Sequence, residues 1–319
     1  MPQFNRRIPP RSFEALCELA RSPGDNWWKD LLSLWQPSGN PSSTDGLRLA
    51  VRDGSLNFYR FGQSIAKITC RSNGRCTAEI SRKYIGLDDE HSNYVVFGDS
   101  NKKSQTIGYD GINALRAWMK NAERWSQKEK GASEKRFVDD LVAVNSNVLD
   151  LEMGLPRWGT RKSPLRMDLV ALERHGTTTR IVFWEVKCIG DSRLRCKVPS
   201  DETPLLPEVR QQMDDYRAFL SNEARMGAVE TSYRETARLL TQFHDWAIKC
   251  GASGHLDSCI LDIAKASTAV QVADKARLVI FDDESYSRSA WPKHEQLLRE
   301  KGIILHTIKK AELLPVSEP

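Results

Sequence analysis

Long apolar runs are missing from this chain. No stretch approaches the about eighteen apolar residues that mark a membrane-spanning helix, and the opening MPQFNRRIPP lacks the apolar core of a secretory signal. A protein without a membrane, in the cytoplasm, is the expectation. Cysteine is sparse and odd in number, seven in 319 residues with no Cys-x-x-Cys, so reduced thiols are expected rather than a disulfide framework. The six histidines show no zinc-ligand spacing. There is no glycine-rich P-loop, which excludes nucleotide hydrolysis by that route. Internal repeats and low-complexity tracts are absent as well. Neither sign of charge dominates: 47 Lys and Arg stand against 42 Asp and Glu, a net +5. That mild basicity permits a polyanionic partner without requiring one.

What is present divides into three stretches. Residues 1–44 read as a helical extension, with helices expected over Ser12–Arg21 and Asp25–Trp35 and with Asp25 as the cap of the second. Trp28, Leu31, Leu32 and Trp35 fall at helical spacing. Such a stripe can stack on bases, but packing against the following domain is the favoured reading. Residues 45–130 read as a β-meander domain followed by a helix, for recognition of substrate or partner. From Leu47 the hydrophobic period becomes two, and Asp53-Gly54, Phe61-Gly62 and Asn73-Gly74 mark turns between four antiparallel strands, with Tyr94–Phe97 as a further edge strand. The helix is expected over Ile112–Gln127. Lys67, Arg71, Arg75, Arg82 and Lys83 can track a phosphate backbone, although a solvated outer face explains each of them as well. SQKEKG, Ser126–Gly131, is the expected boundary.

Residues 131–319 begin with a helix, Ser133–Val144, and a short strand around Val148–Leu155. Two strands rich in β-branched and aromatic residues follow, Arg166–Glu173 and Arg180–Lys187, joined at His175-Gly176-Thr177. Next come a helix from Pro207 to Asn222, helical stretches over 228–250 and roughly 256–273, a buried-type strand over 276–283, a helix over Pro292–Lys301 and a last strand in GIILHTI. This order predicts a mixed α/β fold, a sheet with helices on its faces.

The hairpin gathers the chemistry. Side chains alternate along a strand, so Glu185 and Lys187 share one face while Val186 points into the opposite layer. Pairing in register about the turn brings Asp168 beside them. Two carboxylates and an ammonium at the end of an apolar sheet are costly unless used, and a hard divalent cation is the obvious use. The competing reading is a surface ion pair, since Glu-x-Lys alone carries almost no information. Asp282-Asp283-Glu284 is a further acidic group, read as a solvated turn.

At Asp168, then Glu185-x-Lys187, the sequence resembles the PD-(D/E)XK nuclease superfamily. Gln212 and Tyr216 in VRQQMDDYRAFL match the Gln-x-x-x-Tyr motif of its RecB-like branch, and Glu134 stands where the family often places another acidic residue. Ahead of the Asp the family commonly has Pro or Gly-x-x, and this chain has Pro164-Leu165-Arg166-Met167. The resemblance covers roughly Ala132 to Ile308. It implies a restriction-endonuclease-like αβββαβ core carrying a helical insertion. It also implies Mg²⁺, with Mn²⁺ as substitute, on Asp168, Glu185, the Val186 carbonyl and Glu134. Lys187 would stand beside the attacking water, with Gln212 and Tyr216 at the scissile region or holding Lys187. Some relatives carry an iron–sulfur cluster on four cysteines; here only Cys188 and Cys196 flank the site, so incidental thiols are expected.

The function expected is therefore hydrolysis of phosphodiester bonds in nucleic acid, DNA before RNA. By analogy that suits defence against foreign DNA. Two alternatives keep the fold: an inactive nucleic-acid-binding scaffold, and an effector nuclease gated by a ligand at the 45–111 region. A homodimer or a partner protein bound through the N-terminal region is a further expectation. A chain beginning near Gly131 is expected to keep the chemistry if it folds.

Overall fold

The computed structural model describes residues 4–40, 46–86, 94–101, 109–127, 132–156, 164–195, 207–286 and 290–316. Cys196 lies outside them. Helix α1 (Pro10–Arg21) starts on a proline, whose missing N–H costs nothing in a first turn. Helix α2 (Trp27–Leu34) is capped by Asn26, not by Asp25 as the sequence suggested. The cap must immediately precede the first helical residue, and the Asn26 side-chain oxygen accepts from the backbone N–H of Trp28 at 3.0 Å and of Lys29 at 3.1 Å. Its amide also donates to the Leu19 carbonyl at 2.9 Å, tying α2 to α1. Trp28, Leu31, Leu32 and Trp35 are all buried, and the Trp28 ring meets Phe58 and Phe243 edge-on. The tryptophan stripe is packing.

The first sheet is an antiparallel meander in sequence order: β1 (Arg48–Arg52), β2 (Ser55–Arg60), β3 (Gln63–Cys70), β4 (Cys76–Ser81) and β5 (Tyr94–Asp99). Its β2–β3 turn is the two residues Phe61 and Gly62, both left-handed at φ 47° and 67°, which suits the twist of the flanking strands. A phenylalanine is strained there. Its ring lies between the guanidiniums of Arg60, at 4.1 Å, and Arg136, at 5.0 Å. Helix α3 (Ile112–Ser126) covers the meander with Leu115, Trp118, Met119 and Ala122.

Helix α4 (Ala132–Val144) leads into the second sheet. Strands β6 (Val148–Gly154), β7 (Arg166–His175) and β8 (Thr178–Cys188) run antiparallel. Helices α5 (Glu208–Leu220), α6 (Glu223–Lys249) and α7 (Ser258–Ala264) follow, then β9 (Ala269–Val272), β10 (Arg277–Phe281), α8 (Trp291–Glu300) and β11 (Leu305–Ile308). The sheet order is β11-β10-β8-β7-β6, with β10 and β11 parallel to β8 and β9 pairing the first part of β8. The fold class is mixed α/β.

The helix expected over 256–273 stops at Ala264, and 269–272 is strand. Ala266, left-handed at φ 55°, ends the helical path. Beyond it the burial of Ala269, Val270, Gln271 and Val272 alternates, a period of two that overrides the apparent helical run.

The stretches on either side of the expected 130/131 boundary share one apolar core, in which Leu32, Phe58 and Ile68 join Phe183, Tyr233 and Phe243. Buried charges bridge them too. Asp150 on β6 accepts from Arg52 at 2.6 Å, Tyr233 at 3.1 Å and Arg6 at 3.4 Å. Helix α4 is held between the sheets. Phe137, Leu141 and Val142 pack on Trp184 and Val186 of one and on Ala50 and Tyr59 of the other, while Asp139 lies 3.6 Å from both Arg48 and Arg60.

Candidate active site

Strand pairing builds the site. Leu169 lies opposite Trp184, which sets Asp168 next to Glu185, and the Asp168 Oδ2 accepts the Val186 backbone N–H at 2.7 Å. Val186 turns its side chain into the α4 layer, as alternation requires. Lys187 is only 2 % exposed, so its ammonium must find partners inside. It donates to Glu185 Oε1 at 2.5 Å and to the Val186 carbonyl at 2.6 Å. Glu134, in the first turn of α4, lies 3.7 Å from it and Asp168 lies 3.8 Å from it. Three carboxylates thus converge on one nitrogen.

Helix α5 closes the far side of Glu185. Gln212 and Tyr216, one turn apart, share a face. The Gln212 amide uses both hydrogens, one to Glu185 Oε1 at 2.6 Å and one to the Tyr216 oxygen at 2.8 Å. The Tyr216 hydroxyl is 3.0 Å from Glu185 Oε2 and donates to the Arg166 carbonyl. The contact of this pair is with Glu185, whereas the sequence left open whether it served Lys187.

Electrostatics follow from burial. Burial pushes the Glu185 carboxyl up to about 8, helped by the charge of Asp168 and opposed by Lys187. Tyr216 has one hydrogen for two acceptors, Glu185 Oε2 and the Arg166 carbonyl, and a proton on Glu185 Oε2 pointing at the tyrosine oxygen frees that hydrogen for Arg166. Burial also raises Asp168 and Glu134, against the pull of Lys187. For Lys187 itself burial disfavours the charged form, but Asp168, Glu185 and Glu134 outweigh it and its pKa is raised.

These groups line an open cleft of about 580 Å³ in which carboxylates outnumber cations. Three of the lining carboxylates, Glu152, Glu208 and Asp215, were not among the site candidates the sequence offered. Glu152 on β6 sits in the ladder between the pairs Leu151–Leu169 and Met153–Met167, across from Asp168, with a left-handed backbone at φ 50°. The only signal for it was a second acid in the apolar strand Val148–Gly154.

Other candidates are placed elsewhere. Asp139 is buried on its two arginines. Asp283 accepts from Ser285 Oγ at 2.5 Å in an exposed turn. In the meander, Arg75 pairs with Asp99 at 2.7 Å, Lys83 lies 4.9 Å above the Tyr84 ring, and Lys67 and Arg71 are exposed.

Among the described residues, no three His, Cys, Asp or Glu side chains stand arranged to hold a metal ion, and the Lys187 ammonium lies within 4 Å of Glu134, Asp168 and Glu185. The donor chemistry nonetheless suits a hard cation, with carboxylates and one backbone carbonyl converging and no sulfur or imidazole among them. No family model, curated protein or solved structure matches the chain.

Proposed function

We propose that the chain is a metal-dependent nuclease with a restriction-endonuclease-like core, hydrolysing phosphodiester bonds of nucleic acid, DNA before RNA. The observation that carries this reading is the meeting of Asp168, Glu185 and Lys187 at one end of a mixed sheet, with Gln212 and Tyr216 hydrogen-bonded to Glu185. A structural ion pair does not need an open cleft above it.

Asp168, Glu185, the Val186 carbonyl and Glu134 are the groups that would hold Mg²⁺, or Mn²⁺ in its stead. When bound, such an ion supplies Lewis acidity to a phosphate oxygen and eases ionisation of the attacking water. The remaining work belongs to the chain. Lys187 orients the water and offsets charge gathering on the phosphorus-bound oxygens. Water adds to phosphorus and gives up a proton to solvent, the bond to the leaving oxygen breaks, and that oxygen takes up a proton from solvent. Gln212 and Tyr216 hold Glu185 so that its oxygens keep their direction through the step.

The partner is nucleic acid. No described helix is long and apolar enough to cross a membrane. Full-length protein incubated with circular and linear DNA should cleave in Mg²⁺ and not in chelator. Binding of DNA without cleavage in either Mg²⁺ or Mn²⁺ would favour the inactive scaffold instead.

A further inference from the structure

Arg193 stands at the wall of the same cleft, on the short turn that leaves β8. That turn is rigid. The Asp191 N–H donates to the Cys188 carbonyl at 2.9 Å, Leu194 is fully buried, and a Cβ on Gly190 would come within 2.4 Å of Ser285 Oγ. Asp191 then fixes the guanidinium. Its Oδ1 accepts the Arg193 backbone N–H at 2.8 Å and Nε at 3.0 Å, and its Oδ2 accepts Nε at 3.0 Å and Nη2 at 2.5 Å. A carboxylate on the Nε–Nη2 edge leaves the Nη1–Nη2 edge free. Among the described residues Nη1 has no partner, and the side chain is 41 % exposed.

We infer that Arg193 is a substrate-binding residue, taking a phosphodiester next to the scissile one on its open edge, and that Asp191 is its positioning residue. The inference rests on the nuclease reading and assigns a substrate-binding role within that site. Its physical ground is the charge of the cleft: a wall richer in carboxylates than in cations repels a polyanion, so an oriented cation is needed where the backbone enters. Arginine fits better than lysine because its planar fork meets two phosphate oxygens at once. Holding the fork in advance lowers the ordering cost of binding. The competing role is a mere counter-charge to the carboxylates, whose charges reach Arg193.

The test uses the full chain in an Asp168→Ala background, so that binding is read apart from cleavage. A fluorescein-labelled DNA duplex is titrated by anisotropy over a range of NaCl, and Mn²⁺ binding is measured by calorimetry on the same Arg193 and Asp191 variants with Asp168 intact. Arg193→Ala is expected to weaken DNA binding about tenfold. It should also lower the slope of log K against log salt by about 0.9, the share of a single neutralised phosphate. Arg193→Lys should keep the slope and recover only part of the affinity. Asp191→Asn should weaken binding with the slope retained. An unchanged slope and affinity in Arg193→Ala, or a gain in Mn²⁺ affinity as its sole effect, overturns the inference and leaves Arg193 a counter-charge. If the background chain binds no DNA and the wild type cleaves none, the nuclease reading falls and the role of Arg193 with it.

Discussion

Lys187 Nζ lies 2.5 Å from Glu185 Oε1 and 2.6 Å from the Val186 carbonyl, so one ammonium covers two of the oxygens that a divalent ion would need. Lysine and ion compete for the same acceptors.

That competition separates two substitutions. Asp168→Ala should lose both cleavage and Mn²⁺ binding, whereas Lys187→Ala should lose cleavage and bind Mn²⁺ at least as tightly as wild type. Each loss of rate should reach about 10²–10³-fold, the usual scale for one lost group that stabilises transition-state charge. Calorimetry and a cleavage assay on the same samples check it, with circular dichroism confirming folding. Weaker Mn²⁺ binding by a folded Lys187→Ala protein would show that the ammonium does not stand in the ion's place.

Mg²⁺ and Mn²⁺ should support cleavage, and Ca²⁺ should bind without supporting it. The larger ion takes more ligands in looser geometry and misplaces the attacking water. Thermal shift with each ion, beside the cleavage assay, measures both halves. Full activity in excess chelator would remove the metal from the mechanism.

Tyr216→Phe and Gln212→Ala should differ. Tyr216 is fully buried and its one hydroxyl contacts both Glu185 and the Arg166 carbonyl, so its loss leaves buried polar groups without a partner. We expect a stability loss of about 1–2 kcal/mol with the fall in rate. Gln212 is less buried, and its removal should lower the rate with little change in melting temperature. Denaturant titration of both variants decides. Equal losses of stability would place Gln212 among the structural contacts.

Asp139 on α4 is expected to be a stability residue with a catalytic echo. Asp139→Ala strands Arg48 and Arg60 in the interior, at a cost of about 3 kcal/mol. It also loosens the helix that carries Glu134. A chain beginning near Gly131 goes further, removing Arg48, Arg52 and Arg6 from Asp139 and Asp150 and uncovering Phe243. Such a chain should fail to unfold cooperatively on heating. A sharp melt with full cleavage would mark the first 130 residues as detachable.

The hairpin was legible from residues alone. Alternation along Arg180–Lys187 and the polar turn at Gly176 put Glu185 and Lys187 on one face, and register about the turn put Asp168 beside them. Gln212 and Tyr216 were legible because four residues make one helical turn. These are local periods, and a sequence carries them directly. The end of α7 was misread for a related reason: Ala and Val suit either period over so short a run, and β8 supplied the strand partner that decided between them.

What surrounds the hairpin was decided by tertiary structure. Arg48 and Arg60 belong to a meander whose basic residues suit a solvated face, yet they are buried against Asp139, because their partner lies on a helix far along the chain. The tilt of Lys187 toward Val186, the left-handed Glu152 and the bidentate grip of Asp191 on Arg193 also depend on which groups are brought opposite. Strand and helix periods determine which way a side chain points. What it meets there depends on the packing of distant segments, and so does whether a charge stays in water or must find a partner within.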